Sequence, residues 1–298
     1  MAVFGTSGIK NLPRNIADGM VKKTVTGSTV AALSAREPQR FGNTDIITFD
    51  DVPKAEFVAE GADKSSTTGS FGSVTATPKK AQVTMRFNEE VQWADEDYQL
   101  GVLDTLADAG ATALARALDL GLYYRINPLT GTAITAWTNY LNQATKRVEV
   151  PASPQPDLLM EAAVGLLIAD AKDVNGVAFD PSFAWTLATA RFADGRKKFP
   201  DLGYGIDLSR FEGLPASVSN TVSGRPEATD TKVKAIVGDF RQGIRWGVQR
   251  DIPLEFIKYG DPDGQGDLKR KNQIALRLEI VYGWYVFTDR FAVVEDAA

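Results

Sequence analysis

Carboxylate pairs are the groups of this chain best suited to chemistry. Adjacent acids occur at Asp50-Asp51, at Glu89-Glu90 and at Asp95-Glu96-Asp97. Two facing carboxyl groups can supply the acid and the base of glycoside hydrolysis. Neighbouring residues of a strand, however, point to opposite faces, so such pairs rarely act together. We interpret them as surface or helix-capping charge, and a carboxylate-based hydrolase stays as an alternative.

Histidine and cysteine are both missing from the 298 residues. Without them the chain forms no Ser-His-Asp or Cys-His catalytic unit, no zinc site with imidazole or thiolate ligands and no disulfide. These absences exclude most common catalytic designs. The sequence therefore predicts a protein that is not an enzyme.

Three further motifs resemble ligand sites only in part. The segment 261–267 begins like a calcium loop, but its twelfth position is Asn272 instead of a bidentate Glu, which favours an acidic turn. Residues 203–205 lack the third glycine of a dinucleotide fingerprint. The basic triplets 196–198 and 269–271 are typical of exposed loop charge or of pairing across a subunit contact. We predict no cofactor and no metal.

The charge distribution is uneven along the chain. The net charge is −5, which argues against a protein that grips nucleic acid through clustered Lys and Arg. Residues 1–43 carry six basic and two acidic side chains, whereas residues 44–130 carry seven basic and fourteen acidic ones. A basic arm thus precedes an acidic middle. No apolar run approaches the roughly 20 residues that span a bilayer, so no membrane is expected as a partner.

The elements that position these groups follow from hydrophobic spacing. Residues 1–43 show no periodicity and many glycines and prolines, which predicts an extended arm. Alternation at Val83, Met85 and Phe87 predicts a strand, and with residues 46–58 it indicates a long two-stranded hairpin over 45–91. A hairpin of this kind needs a partner surface. Apolar residues at spacings of three and four predict a helix over 94–122, in which Gly110 is the weak point.

The second half mixes helices and strands. Helices are predicted over 157–171 and from Pro181 to about 193, with Asp180 as the N-cap of the second. Short strands are predicted over 233–240, 244–248, 252–256 and 272–282. This order of elements indicates the α+β class.

The order of these elements and several local patterns resemble the major capsid proteins of tailed bacteriophages with the Hong Kong 97 fold. The patterns are Phe57-Val-Ala-Glu-Gly-Ala, Phe87-Asn-Glu-Glu-Val, Asp119-Leu-Gly-Leu, Asn127-Pro-Leu-Thr-Gly, Phe179-Asp-Pro-Ser, Asp194-Gly-Arg, Phe211-Glu-Gly-Leu-Pro-Ala-Ser-Val, Ile236-Val-Gly-Asp-Phe and the closing Phe291-Ala-Val. The resemblance implies an N-terminal arm (1–43), an extended hairpin loop (44–92), a peripheral domain with a spine helix (93–150), an axial domain (151–248) and a return to the peripheral domain (249–298).

The resemblance also implies a function. A protein of this family assembles with itself as pentamers and hexamers into the icosahedral head shell of a virion, encloses double-stranded DNA without reading its sequence, and is assembled in the cytoplasm of a host bacterium. A portal, a decoration protein and either a separate scaffolding protein or none are the implied further partners. An encapsulin-like compartment, which shares the fold but encloses enzymes, stays open as an alternative.

The charge asymmetry suggests where subunits touch. We expect the arm cations to cross the acidic hairpin or the spine helix of a neighbour, and removal of residues 1–40 to weaken shells more than folding. The expected arm residues are Lys10, Arg14, Lys22, Lys23, Arg36 and Arg40, and the expected partners are Glu56, Glu60, Glu89 and Glu90. Some family members join a hairpin Lys to an Asn of a neighbour by an isopeptide bond. Lys64 lies at the hairpin tip, but without an identified Asn or Glu partner a non-covalent contact is the expectation.

Overall fold

Two β-sheets and one long helix form the frame of the subunit. The computed structural model describes residues 27–49, 55–66, 71–90, 96–151, 155–203 and 208–297, with side chains except those of 96–104 and 251–253. The helices are α1 (Thr29–Leu33), α2 (Glu96–Tyr124), α3 (Pro156–Ala169), α4 (Pro181–Thr189) and α5 (Phe240–Gly243). The strands are β1 (Thr44–Phe49), β2 (Phe71–Asn88), β3 (Ile126–Asn127), β4 (Thr132–Ala133), β5 (Lys146–Val150), β6 (Gly176–Phe179), β7 (Arg210–Phe211), β8 (Leu214–Val218), β9 (Val233–Gly238), β10 (Ile244–Ile257), β11 (Gln273–Val286) and β12 (Phe291–Asp296).

The first sheet is antiparallel and has the strand order β1-β2-β11-β10. Its long strand β2 has two partners, because residues 71–76 pair with β1 and residues 77–88 pair with β11. The two-stranded hairpin is therefore shorter than predicted, because the alternating segment at Val83 pairs with β11 and not with β1. Alternation identifies a strand with one buried face, but it does not identify the neighbouring strand.

The second sheet has the order β5-β12-β9-β6-β8-β7 and is covered on both faces. Successive residues of its central strands enter different cores: Ala178 and Ile236 face the core around α2, whereas Val177 and Val237 face the core beneath α3 and α4. Successive side chains of a strand point to opposite faces of the sheet, so a strand that is apolar at every position is typical of a sheet buried on both faces. The sheet thus joins the two cores of the subunit.

The long helix α2 confirms the helix predicted over 94–122, and it runs unbroken through Gly110. A Cβ atom at Gly110 would lie only 2.7 Å from a methyl carbon of Leu278 in β11. This glycine therefore permits close packing of the helix on the first sheet, which compensates for its low helix propensity of about 1 kcal/mol relative to Ala.

The other predicted elements differ from the structure mainly in their ends. Helix α4 has the expected Asp180 cap, whose side chain accepts the Ser182 amide, but the helix ends at Thr189 and not near 193. The strands predicted at 244–248 and 252–256 form one strand, β10, with two register shifts. It lies at a sheet edge, where proline is tolerated, and Pro253 falls within the register shift between Ile252 and Glu255. Within the described residues, no helix has the length and apolar character to cross a membrane.

Candidate assembly surfaces

The root of the N-terminal arm is bound into the core of its own subunit. The short helix α1 begins at Ser28, whose side chain accepts the amide of Ala31 as an N-cap. Val30 and Leu33 on this helix are buried in the core around α2. The predicted arm is thus part of the folded body from residue 28 onward, and this corrects the expectation of an extended arm over all of residues 1–43.

Asp119 of α2 holds this root in place. Its carboxylate accepts hydrogen bonds from the Thr29 amide at 2.9 Å, the Thr29 hydroxyl at 2.8 Å and the Thr221 hydroxyl at 2.7 Å. Ser28 Oγ and, at 3.2 Å, the Val30 amide donate to its Oδ1. The carboxylate therefore completes the N-terminal cap of a helix 90 residues away in sequence.

Burial and hydrogen bonding act on Asp119 in opposite directions. Desolvation raises the pKa of this fully buried carboxyl, and the hydrogen bonds from Ser28, Thr221 and Thr29 lower it. The sequence analysis missed this role, although a signal exists. Asp119 lies between Leu118 and Leu120 on a helix, and a lone acid flanked by core residues on a buried helix must find donors.

Contacts with β10 continue the anchoring beyond α1. The Trp246 indole N–H donates to Ser34 Oγ at 2.8 Å, and the Glu37 amide donates to the Trp246 carbonyl at 2.9 Å. Arg245 and Glu37 form an ion pair. Deletion of residues 1–40 would therefore remove part of the subunit core, so a test of the arm has to stop before Ser28.

The hairpin formed by β1 and residues 71–76 presents an apolar face to solvent. Ile47 and Phe71 are each 75% exposed, and Phe49 is half-exposed. Phe49 and Phe71 are paired across the strands with ring centroids 5.0 Å apart in an edge-to-face arrangement. Exposed aromatic and branched residues that share one face mark an interaction surface on a protein.

An aromatic box surrounds a buried lysine at the base of this hairpin. Lys79 is 8% exposed, and its Nζ lies 4.4 Å from the ring centroid of Trp284 and 5.7 Å from that of Trp137. The ammonium donates to the Thr77 carbonyl at 3.1 Å. Burial lowers the pKa of Lys79 to about 8, whereas the two indole faces favour the charged form. The contacts of Lys79 with the two indole rings lie near the point on β2 at which its pairing with β11 begins.

The predicted contact residues of the hairpin lie in two separate places. Glu56, Glu60 and Lys64 are exposed in the connection between β1 and β2. Hydrogen bonds from the Ser65 side chain and from the Ser65 amide, the latter at 2.7 Å, lower the pKa of Glu56. Glu89 and Glu90 instead lie at the end of β2 and bond within the subunit, to Lys269 at 3.0 Å and to the Asn272 side chain at 3.1 Å.

Only two of the six predicted arm cations lie among the described residues. Arg36 forms an isolated bridge with Trp246 through its backbone, and Arg40 is exposed. Lys10, Arg14, Lys22 and Lys23 lie outside the described residues. Among the residues that the structure describes, neither Arg36 nor Arg40 forms an ion pair with a predicted hairpin acid.

The turn at 261–267 is occupied by a guanidinium group. Arg86 Nε donates to Asp263 at 2.8 Å, and its Nη2 donates to Asp261 at 2.9 Å. These bonds raise the pKa of Arg86 and lower that of Asp263. In the part of the chain that the structure describes, no group of three or more acidic residues is arranged to hold a metal ion. The turn therefore acts as an ion-paired brace between β2 and the β10–β11 connection.

Comparison with known proteins identifies the family. The sequence model of the phage capsid family matches residues 11–294. The chain belongs to the phage capsid family. A solved structure from Mycobacterium phage Ogopogo is 49% identical, with a TM-score of 0.82 over 91% of this chain and 92% of that one. One from Gordonia phage Cozz is 31% identical, with a TM-score of 0.80 over 91% of this chain and 87% of that one.

More distant structures share the fold alone. The capsid of a native GTA particle is 16% identical, with a TM-score of 0.61 over 92% of this chain and 91% of that one. No curated protein sequence matches the chain significantly. The predicted α+β class and Hong Kong 97-like fold are confirmed, and this phage capsid protein is a head-shell protein of the virion that assembles from many subunits.

Proposed function

We propose that this phage capsid protein closes as pentamers and hexamers into an icosahedral head shell that encloses double-stranded DNA. The observation that carries the proposal is the apolar hairpin face of Ile47, Phe49 and Phe71, which is exposed on the single subunit. In a phage capsid protein, such a face is available for contact with neighbouring subunits of the shell. A net charge of −5 suits a wall that contains DNA without binding it tightly.

The domain division predicted from the sequence is proposed with different boundaries, because β5 and β12, which fall in the ranges predicted as peripheral, belong to the second sheet. The first sheet and α2 would form the peripheral domain, and the second sheet with α3 and α4 would form the axial domain. The separation of the buried side chains into two clusters, which share the second sheet, supports this division.

The contact between the arm and the hairpin is proposed with fewer residues than the sequence predicted. Residues 1–26 carry Lys10, Arg14, Lys22 and Lys23. We expect these cations to meet the exposed Glu56 and Glu60 of a neighbouring hairpin, because Glu89 and Glu90 are engaged within their own subunit. The exposed Lys64 beside them would contact the neighbour non-covalently.

Further partners follow from shell assembly. A portal, a separate scaffolding protein and a decoration protein are the proposed ones, and assembly would take place in the cytoplasm of the host bacterium.

Negative-stain electron microscopy of the purified protein, with and without its neighbouring phage proteins, tests the proposal. We expect closed polyhedral particles, or rings of five and six subunits. Particles that hold nucleic acid support a virion head, whereas particles with protein cargo and no nucleic acid would support an encapsulin-like compartment. Small discrete particles under every condition would contradict the shell function.

A deletion of residues 1–26 tests the arm contact separately. It leaves Ser28 and its bonds to Asp119 in place, so the free energy of unfolding of the subunit should be unchanged. Shells should form less completely and dissociate at lower salt than the wild-type shells. Shells of unchanged stability would contradict the arm contact and leave the head-shell function intact.

A further inference from the structure

The outward side of helix α3 has an unusual composition for a helix on the surface of one subunit. Only two of its fourteen residues, Asp157 and Glu161, are charged. Its inner side, with Leu159, Ala163 and Leu167, is buried against the second sheet. A surface helix ordinarily has a polar outer side, and a helix that is apolar all round is a buried one.

Six of the seven exposed residues of α3 are apolar and Glu161 is the seventh; we name the six apolar ones the α3 outer face. Ile168 is 64% exposed, Leu158 50% and Leu166 40%, and a Cβ atom at Gly165 would meet no atom within 4 Å. The α3 outer face consists of Leu158, Ala162, Gly165, Leu166, Ile168 and Ala169. Spacings of three and four place the small residues along its centre, with larger side chains on both flanks.

The long helix α2 provides the contrast within the same chain. Its exposed positions include Thr105, Asp108 and Thr112, which are polar. The apolar character of the α3 outer face is therefore not general among the helices of this protein. A contiguous apolar patch of this kind marks a surface that a partner covers.

The apolar surface continues beyond the start of α3. Lys198 Nζ lies 2.6 Å from Asp157 Oδ2 and 5.8 Å from the ring centroid of the half-exposed Phe192. The ion pair neutralises Asp157, whereas the exposed Glu161, one helical turn further along α3, leaves a single charge at this border of the face. A single charge at the border gives the contact little electrostatic preference.

We propose that the α3 outer face binds a second copy of this chain in the shell. The inference rests on the proposed function, because a subunit of a closed shell of many copies is surrounded by copies of itself. The small central residues allow the backbone of α3 to approach the neighbour closely, and the flanking Leu and Ile side chains would lose their water. Because the face holds little charge, this contact should resist salt that weakens the contact between the arm and the hairpin.

The lack of cysteine in the natural chain permits a direct accessibility test. A single Ala162→Cys variant is treated with maleimide as a subunit and as an assembled shell. We expect the labelling rate in shells to fall at least about tenfold, because only an accessible thiolate reacts. Equal labelling rates in the two states would overturn the proposal.

The adjacent Ala163→Cys variant is the matched control. Ala163 is buried within the subunit. Its thiol should be protected in the subunit and in the shell, and both thiols should react in denaturant. Protection of Ala162→Cys already in the subunit would show that the face is not open, and would also overturn the proposal.

A charged substitution tests the energetic importance of the contact. Ala162→Glu should lower the assembled fraction about tenfold or more, because a buried carboxylate would lack a partner. Its thermal unfolding as a subunit should match that of Ala162→Ser, which should assemble like the wild type. Normal shells from Ala162→Glu would overturn the α3 contact alone, whereas a wild type that never forms shells would overturn the proposed function together with it.

Discussion

The arm root and the hairpin are adjacent in sequence, yet they are stabilised in different ways. The arm root, residues 28–37, has Val30 and Leu33 buried and polar groups bonded to Asp119, Trp246 and Arg245. The hairpin, 44–49 and 71–76, leaves Ile47 and Phe71 three-quarters exposed. The first segment is completed by its own subunit, whereas the second is not.

This difference separates residues that fold the subunit from residues that join subunits. A substitution in the arm root should alter the free energy of unfolding, since buried polar groups lose their partners. A substitution in the exposed hairpin face should alter assembly, since this surface is exposed to solvent in the single subunit and would be buried against a neighbour in the shell. The following variants test this separation in order of their expected effect on subunit unfolding.

Asp119→Ala should have the largest effect. It leaves the donors of Ser28, Thr29 and Thr221 without their buried acceptor. We expect the free energy of unfolding to fall by about 4 kcal/mol, as for other broken buried polar networks. Urea denaturation of unassembled subunits measures it. The exposed Asp173→Ala should change stability by less than about 0.5 kcal/mol, and equal effects of the two variants would contradict the anchor.

Lys79→Met should change the pH dependence of stability. Folding lowers the pKa of Lys79 from 10.5 to about 8, so between these pH values the unfolded chain binds more protons than the folded one. The stability of the wild type relative to Lys79→Met should therefore rise from pH 8 to pH 10.5, by at most about 3 kcal/mol. The indole contacts reduce this value, because they favour the ammonium form.

Unfolding in urea at several pH values measures the Lys79 effect. Lys80→Met, which removes a more exposed lysine paired with Glu279, is the control on the same strand. The same pH profile for both variants would show that the buried ammonium is not its source.

Trp246→Phe should have an intermediate effect. It removes the indole N–H that donates to Ser34 and leaves a small cavity at a fully buried site. We expect a loss of about 2 kcal/mol in the free energy of unfolding. Trp185→Phe, at a half-exposed position, should cost less than about 1 kcal/mol. If the two variants were equally stable, the arm root would contribute less than the contacts indicate.

Phe71→Ser should have the smallest effect on the subunit. Phe71 is largely exposed, so the substitution removes mainly its ring contact with Phe49. This contact contributes about 1 kcal/mol or less to the free energy of unfolding. Shell formation, followed by sedimentation, should fall strongly. Thr75→Ser, on the same face of the hairpin, should assemble like the wild type. Normal shells from Phe71→Ser would contradict the role of the hairpin face.

The sequence predicted the elements whose pattern is local. Helix α2 follows from apolar residues at spacings of three and four, and β11 follows from alternation over many residues. It did not predict strand partners. The split of β2 between β1 and β11, and the parallel pairing of β5 with β12, depend on contacts between distant segments that no local period encodes.

The candidate site shows the same division. The exposed acids Glu56 and Glu60 were found from charge alone, because exposure of polar residues is the common case. The pairing of Glu89 with Lys269, separated by 180 residues, could not be deduced in this way. Asp119 was missed because helical periodicity reports apolar positions and not the donors that a buried acid will meet.

Cryo-electron microscopy of shells formed by the purified protein tests the central separation most directly. The account predicts that residues 28–34 lie on Asp119 of their own subunit, while the hairpin face of Ile47, Phe49 and Phe71 is covered by a neighbour. A closed shell in which that hairpin face remains open to solvent, or an arm root that binds a different subunit, would contradict it.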